Sequence, residues 1–187
     1  MNALRDRLWR PACWLLLALC LCQGPALAQS NATERQVKAA YLYKFAGFVE
    51  WPDGAFARPD SPLLIGIAGN DALAEQAEQI IAGRSINGHP LAVRRVRRGD
   101  ALEGVHILFV GAMDRPGMGE LLATARAQSV LTVSDVDEAT ELGCMVHFVV
   151  ADDRLRFEVA LKNVTPTRLR ISARMLAAAY RVQGATS

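Results

Sequence analysis

Cysteine is scarce in most of this chain, and its distribution excludes one common source of stability. Three of the four cysteines lie within the first 22 residues, and Cys144 is the fourth. An intramolecular disulfide is therefore impossible beyond residue 22, so a hydrophobic core has to stabilise the fold. Cys144 is either a buried apolar side chain or a free thiol that can pair between chains. Burial is favoured, because the apolar run 145–150 that follows predicts a core strand.

Patterns of catalytic or metal-binding residues are missing as well. Three histidines lie at scattered positions without cysteines or carboxylates at ligand spacing, so the sequence predicts no metal site and no cofactor. Cys144 and His147 lie three residues apart on a predicted strand, where such residues point to opposite faces of a sheet. That geometry excludes a thiol–histidine dyad on the strand. We therefore expect no enzyme activity, and a hydrolase with an unrecognised site is the least favoured hypothesis.

The net charge of the chain is small, and it comes from the N-terminal residues. The whole chain has a formal net charge of +2, but the first 28 residues hold three arginines and one aspartate. The remaining chain has 18 basic and 18 acidic residues, and therefore no overall field that would attract nucleic acid. The basic run at residues 94–98 is interpreted as the solvated end of a strand rather than as an anion site.

The N-terminus has the pattern of a secretory signal peptide. Three arginines precede an apolar run over residues 12–22, and the small-residue site Ala26-Leu27-Ala28 follows. The apolar run is shorter than the ~20 residues that a membrane-spanning helix needs. Leucine, not a small residue, precedes both Cys20 and Cys22, which favours soluble export over lipidation. The sequence thus predicts a signal peptide over residues 1–28 that is cleaved after Ala28.

The rest of the chain alternates between predicted strands and helices. Apolar runs predict strands at residues 63–68, 91–96, 105–110, 130–133, 145–150 and 155–161, and helical spacing predicts helices at residues 71–81, 117–127 and 167–182. The turn Asp152-Asp153 joins the last two strands into an antiparallel hairpin. We therefore predict a single α/β domain over residues 29–187. Its central sheet is mainly parallel and flanked by helices, with a C-terminal hairpin and helix.

Capping signals place the start of two predicted helices. Thr33-Glu34-Arg35-Gln36 has the form of a capping box, which predicts that a first helix begins there. That helix is predicted to end before Trp51-Pro52, since proline restricts the preceding residue. Asp71 is the predicted cap of the helix at residues 71–81.

The last predicted helix carries more apolar surface than packing on one side requires. At helical spacing, Ile171, Met175 and Val182 share a stripe nearly opposite to that of Leu169 and Leu176. Either this helix is deeply buried, or its second stripe contacts another protein. On the second alternative, Ile171, Met175 and Val182 are the predicted partner-binding residues.

A crevice at one end of the sheet gives a second functional hypothesis. In parallel sheets, ligands bind outside the carboxyl ends of the strands. Asn70 follows the predicted strand 63–68, and Ser134 follows the strand 130–133. Asn70 and Ser134 are therefore the predicted ligand-binding residues of a small-ligand-binding module.

Three parts of the chain resemble the YfiR-like family. They are VKAAYLYKF with FVEWP at residues 37–52, GCMVHFV with RLRFEV at residues 143–159, and RLRISARML at residues 168–176. The resemblance implies a small bacterial periplasmic α/β protein without enzyme activity. It also implies that the protein binds the periplasmic sensor domain of an inner-membrane diguanylate cyclase and represses cyclic-di-GMP and biofilm output.

The same resemblance implies two further associations, a homodimer and an outer-membrane-associated protein that sequesters the regulator. One departure from the family is visible in the sequence. Better-known members have disulfides in the exported part, whereas this chain has only Cys144 there. Redox control through an intramolecular bond is therefore excluded for this chain.

Overall fold

A mixed eight-stranded sheet with helices on both faces forms the fold. The computed structural model describes residues 24–184, with side chains from residue 31 onward. Residues up to Glu34 belong to a separate unit, and the sheet lies entirely in the unit that begins at Arg35. Most of the predicted signal peptide lies outside the described residues, so its cleavage after Ala28 stays a prediction. Within residues 24–184, no helix is long and apolar enough to cross a membrane.

Helices and strands alternate along most of the chain. The helices are α1 (Gly24–Ala46), α2 (Asp71–Ile81), α3 (Arg115–Ala127), α4 (Leu161–Val164) and α5 (Ala173–Ala178), with one 3-10 turn at Asp137–Ala139. The strands are β1 (Val49–Glu50), β2 (Leu63–Ala68), β3 (Ser85–Ile86), β4 (His89–Val96), β5 (Val105–Val110), β6 (Leu131–Ser134), β7 (Val146–Ala151), β8 (Arg154–Ala160), β9 (Arg170–Ile171) and β10 (Arg181–Gln183).

The large sheet is parallel in its centre and antiparallel towards its ends. Its strand order is β10-β8-β7-β6-β5-β2-β4-β3. The five strands from β7 to β4 in this order run parallel to their neighbours, and β10 is parallel to β8. The β7–β8 hairpin and the β3–β4 pair are antiparallel. The predicted α/β class, with a mainly parallel sheet and a C-terminal hairpin, is confirmed.

Two hydrophobic cores lie on the two faces of the sheet. α1 and α2 pack against one face, and α3 packs against the other. All six residues of β5 are buried, as the continuous apolar run predicted for a strand covered on both sides. On the first face, Tyr41 and Phe45 of α1 meet Phe148 and Phe157, with ring centroids 5.0 to 6.1 Å apart. Each such pair adds about 0.5–1.5 kcal/mol beyond its area burial, so this cluster fixes α1 on the hairpin.

The predicted C-terminal helix is present, but its predicted bounds, residues 167–182, are wrong. The structure instead has strand β9, the six-residue helix α5 and strand β10 in this segment. Ser172 caps α5 by accepting a 3.3 Å hydrogen bond from the Met175 N–H, and Ala179 leaves the helical conformation with ψ 140°. Strand pairing with β1 and β8 therefore overrides the helical spacing of the apolar residues.

Both predicted ends of α1 and the predicted cap of α2 also differ from the structure. α1 begins at Gly24, so Thr33 lies inside the helix and the predicted capping box is wrong. The same helix ends at Ala46 rather than at Trp51, because Val49 and Glu50 form strand β1. The cap of α2 is Asn70 rather than Asp71, since the Asn70 side chain accepts a 3.0 Å hydrogen bond from the Leu73 N–H.

Candidate functional site

A two-stranded antiparallel ribbon joins the two ends of the chain's second unit. Strand β1 pairs with β9, so that Val49 lies opposite Ile171 and Glu50 lies opposite Arg170. The Ser172 N–H extends the ribbon by donating a 2.9 Å hydrogen bond to the Phe48 carbonyl oxygen. The two segments thus meet at one place on the surface, although more than a hundred residues of sequence separate them.

A surface cleft of about 460 Å³ lies beside this ribbon. Its lining combines two guanidinium groups, two carboxylates and the rings of a tryptophan and a proline. These residues are Glu50, Trp51, Pro52, Asp53, Arg168 and Arg170. We call this feature the ribbon cleft.

Both signs of charge are exposed in the ribbon cleft. Glu50 and Arg170 are register partners on neighbouring strands, where opposite side chains share one face of the ribbon. Within residues 31–184, however, no ion pair shorter than 4 Å joins Arg168 or Arg170 to a carboxylate. These charges are therefore hydrated in the isolated chain and available to a binding partner with complementary charges.

The aromatic wall of the cleft is anchored to the large sheet. The Trp51 indole N–H donates a 3.2 Å hydrogen bond to the His106 carbonyl oxygen on β5. Trp51 is half-buried and packs edge-on against Phe56, with ring centroids 6.4 Å apart. An indole with one polar contact inside and a partly exposed face outside suits a binding surface.

The two segments that meet in the ribbon are the opening and closing parts of a family pattern. A family model described as YfiR/HmsC-like matches residues 35–180. The chain belongs to the YfiR/HmsC-like family. Members of this family are periplasmic regulators in cyclic-di-GMP signalling rather than enzymes. A comparison with curated proteins finds no match.

The predicted partner-binding residues of this YfiR/HmsC-like protein do not share one face. Ile171 is half-buried in β9, next to Arg170 of the ribbon cleft. Met175 is fully buried in the core beneath α5, so a partner could reach it only if the core opened. Val182 is 37% exposed on β10, at the edge of the large sheet. Ile171 is thus the only one of the three beside the cleft, and the binding roles stay predictions.

The predicted ligand-binding residues are also separate. Asn70 lines a crevice of about 420 Å³ at the carboxyl ends of β2, β4 and β5, together with Arg97, Arg98 and Asp114. Ser134 does not line that crevice. It is fully buried, and its hydroxyl donates a 2.7 Å hydrogen bond to the Val110 carbonyl oxygen. The observed contacts of Ser134 are therefore structural.

The thiol of Cys144 lies within the second core. The side chain is fully buried, and its sulfur lies 3.3 Å from the Val146 carbonyl oxygen. Burial raises the pKa of this thiol to about 12, so the nucleophilic thiolate is absent at neutral pH. Of the two sequence-based alternatives for Cys144, burial is confirmed.

Sequence reasoning missed the arginines of the ribbon cleft. Helical spacing assigns Arg168 and Arg170 to a helix and gives no reason to place them beside Glu50. Their pairing depends on a contact between segments far apart in the chain. The sequence did contain one signal of this site. Both segments belong to the parts that resemble the family, and each carries exposed charges that a buried core strand would not need.

Proposed function

We propose that this protein binds the periplasmic sensor domain of an inner-membrane diguanylate cyclase and holds the cyclase in a less active state. Family membership supports the signalling role. The ribbon cleft supports a protein partner, because an exposed cleft with arginines and an aromatic wall resembles the composition of interfaces. Binding one conformation of the sensor more tightly than another would be sufficient to shift cyclase output.

The ribbon carries this proposal, because it places charged residues from both ends of the unit around one surface. Replacing Arg168 and Arg170 by glutamate should lower the affinity for the sensor domain about tenfold or more, since two complementary contacts become repulsive. Both arginines are exposed, so the protein should still fold, although a glutamate at position 170 would repel Glu50 across the ribbon at a cost of up to about 1 kcal/mol. Isothermal titration calorimetry with the purified sensor domain measures the effect.

A matched control separates local charge from total charge. Arg154 and Lys162 are exposed residues outside the cleft, and their double replacement by glutamate changes net charge by the same amount. We expect this control to bind the sensor domain as the unchanged protein does. Equal loss of affinity in both double variants would contradict the assignment of the interface to the ribbon cleft. No binding by the unchanged protein would contradict the proposed function itself.

The homodimer and the outer-membrane-associated partner are part of the same proposal and rest on the family resemblance alone. Light scattering of the purified protein tests whether it forms a homodimer. A dimer mass over the range of concentrations used for calorimetry is the expected result. A monomer throughout that range would remove the homodimer from the proposal.

A second candidate function, binding of a small ligand, is favoured by the crevice at Asn70. This crevice lies where β2 meets both β4 and β5 at their carboxyl ends, which is the usual ligand position in such sheets. Arg97 and Arg98 line it together with Asp71 and Asp114, so it presents charges of both signs. A thermal-shift screen with phosphate, nucleotides and small carboxylates tests it, because a bound ligand raises the melting temperature. No shift with any of these probes would count against this function.

A further inference from the structure

Two histidines from different strands fasten the loop between β1 and β2 to the large sheet. We call residues 51–62 the latch loop. His106 on β5 contacts the Ala55 carbonyl oxygen at 3.1 Å, and His89 on β4 contacts the Ser61 carbonyl oxygen at 2.8 Å. Between them, the Phe56 ring stacks on both imidazoles, with centroids 3.7 Å from His89 and 4.2 Å from His106. One phenyl ring from the loop is thus held between two titratable rings of the sheet.

The hydrogen bonds of His106 fix its protonation state. Its Nδ1 accepts a 3.2 Å hydrogen bond from the Leu64 N–H, so this nitrogen carries no proton. Its Nε2 must then carry the proton that is donated to the Ala55 carbonyl oxygen. Adding a second proton would place an Nδ1–H against the Leu64 N–H, donor facing donor. The closed arrangement therefore favours the neutral imidazole over the imidazolium.

The surroundings of both rings contain little that would stabilise positive charge. Trp51 and Phe56 present aromatic rings to His106, and β2 and the latch loop present backbone groups. His89 is the titratable group on the other side of the Phe56 ring. Within residues 31–184, no carboxylate lies in hydrogen-bond or ion-pair distance of either imidazole. The charged loop residues Arg58 and Asp60 pair with each other at 3.2 Å.

We propose that the latch loop is a pH-sensitive device, closed on the sheet while His106 is neutral and released when this imidazole is protonated. When the loop is released, the His106 side chain on β5 is exposed to water and can take up a proton. A released loop also frees Trp51, Pro52 and Asp53, which line the ribbon cleft. The consequence for partner binding rests on the proposed function, whereas the release itself does not.

The direction of the pH dependence follows from linkage. Burial lowers the pKa of His106 from its ordinary value of 6.5, backbone hydrogen bonds to Ala55 and Gly104 oppose this shift, and His89 lowers the pKa further. The released state therefore binds protons more readily than the closed state. Closure is fully stable above pH 6.5 and weakens as pH falls below it, until the lowered pKa of the closed state is reached. Over that interval the equilibrium between released and closed loop changes by up to about tenfold per pH unit.

Hydrogen–deuterium exchange of the full chain measures release directly. Peptides covering residues 51–64 should lose protection between pH 7 and pH 5, after correction for the intrinsic exchange rate, while peptides from β5 should keep it. Replacing His106 with Asn removes the titrating group, and its loop protection should no longer depend on pH. His147→Asn is the matched control, because His147 lies on β7 and contacts neither Phe56 nor the latch loop. This control should keep the pH response of the unchanged chain.

A second measurement keeps the test decisive if His106→Asn does not fold. The chain has only three histidines, so NMR of labelled imidazoles can follow each one in the unchanged protein. His106 should titrate in the same pH range in which residues 51–64 lose protection. Loop protection that is independent of pH, or release while His106 remains neutral, would overturn the proposal. Neither result would affect sensor binding at neutral pH, so failure of the latch and failure of the proposed function are distinguishable.

Discussion

Replacing Met175 with Ala tests whether the segment after β9 belongs to the core or to an interface. The Met175 side chain is fully buried among residues of the first core, although α5 has only six residues. Truncation of a buried methionine to alanine costs about 2–5 kcal/mol, because transfer energy is lost and a cavity remains. We expect the free energy of unfolding to fall by about 3 kcal/mol, in the lower half of that range. A short helix at the end of a two-stranded ribbon can relax and fill part of the cavity.

Urea unfolding of the full chain, followed by far-UV circular dichroism, measures this change. Val182→Ala is the control, because Val182 is 37% exposed on an edge strand and its truncation should cost less than about 1 kcal/mol. Sensor binding by Met175→Ala should be normal once the folded fraction is taken into account. Unchanged stability together with weaker binding would refute our reasoning, since Met175 would then contact the partner directly.

Two further predictions concern a backbone contact and a thiol. Gly69→Ala should lower the free energy of unfolding by about 1–3 kcal/mol, because Gly69 has φ +71° and an added Cβ would lie 3.0 Å from the Ala112 carbonyl oxygen. Urea unfolding measures this, and Gly104→Ala, also at positive φ but with open space around its Cβ, is the control for conformational strain alone. Cys144 should react with iodoacetamide only after denaturation, since burial raises its pKa to about 12. Labelling of the folded protein at the rate of a free thiol would contradict this, as mass spectrometry would show.

The central sheet was predictable from the sequence for a physical reason. Its strands are covered on both faces, so they appear as continuous apolar runs with turn residues between them, as at 63–68 and 105–110. The hairpin turn was equally clear, because Asp152 and Asp153 both adopt positive φ, which aspartate tolerates better than most residues. Local pattern and tertiary environment agree in these elements.

The C-terminal segment was mispredicted because local pattern and tertiary pairing disagree there. Leucine, alanine and methionine in residues 169–178 all favour helix, and their spacing fits one. Strand β9 exists only because β1 offers it a partner, and a single sequence contains no signal of that pairing. The ribbon cleft depends on this pairing, so the candidate site was missed together with it.

The two predicted ligand-binding residues do not meet in one crevice, and their binding roles stay predictions. Asn70 follows β2 and Ser134 is the last residue of β6, but β5 lies between those two strands. Each side chain is also engaged with nearby backbone, Asn70 as a helix cap and Ser134 with Val110 and Val136. Short polar side chains at strand ends often satisfy such backbone groups, and sequence alone does not separate that role from ligand binding.

The lengths of the two edge strands affect how the protein can associate with others. β3 has two residues and β10 has three, and they close the sheet at opposite ends. Within residues 24–184, β3 pairs with only two of the eight residues of β4, so most of the outer side of β4 is not covered by a strand. Arg94 and Arg95 place charge along that edge, which disfavours pairing with a strand from another molecule. Side chains, rather than the length of the edge strand, therefore govern whether another sheet can join the fold at this end.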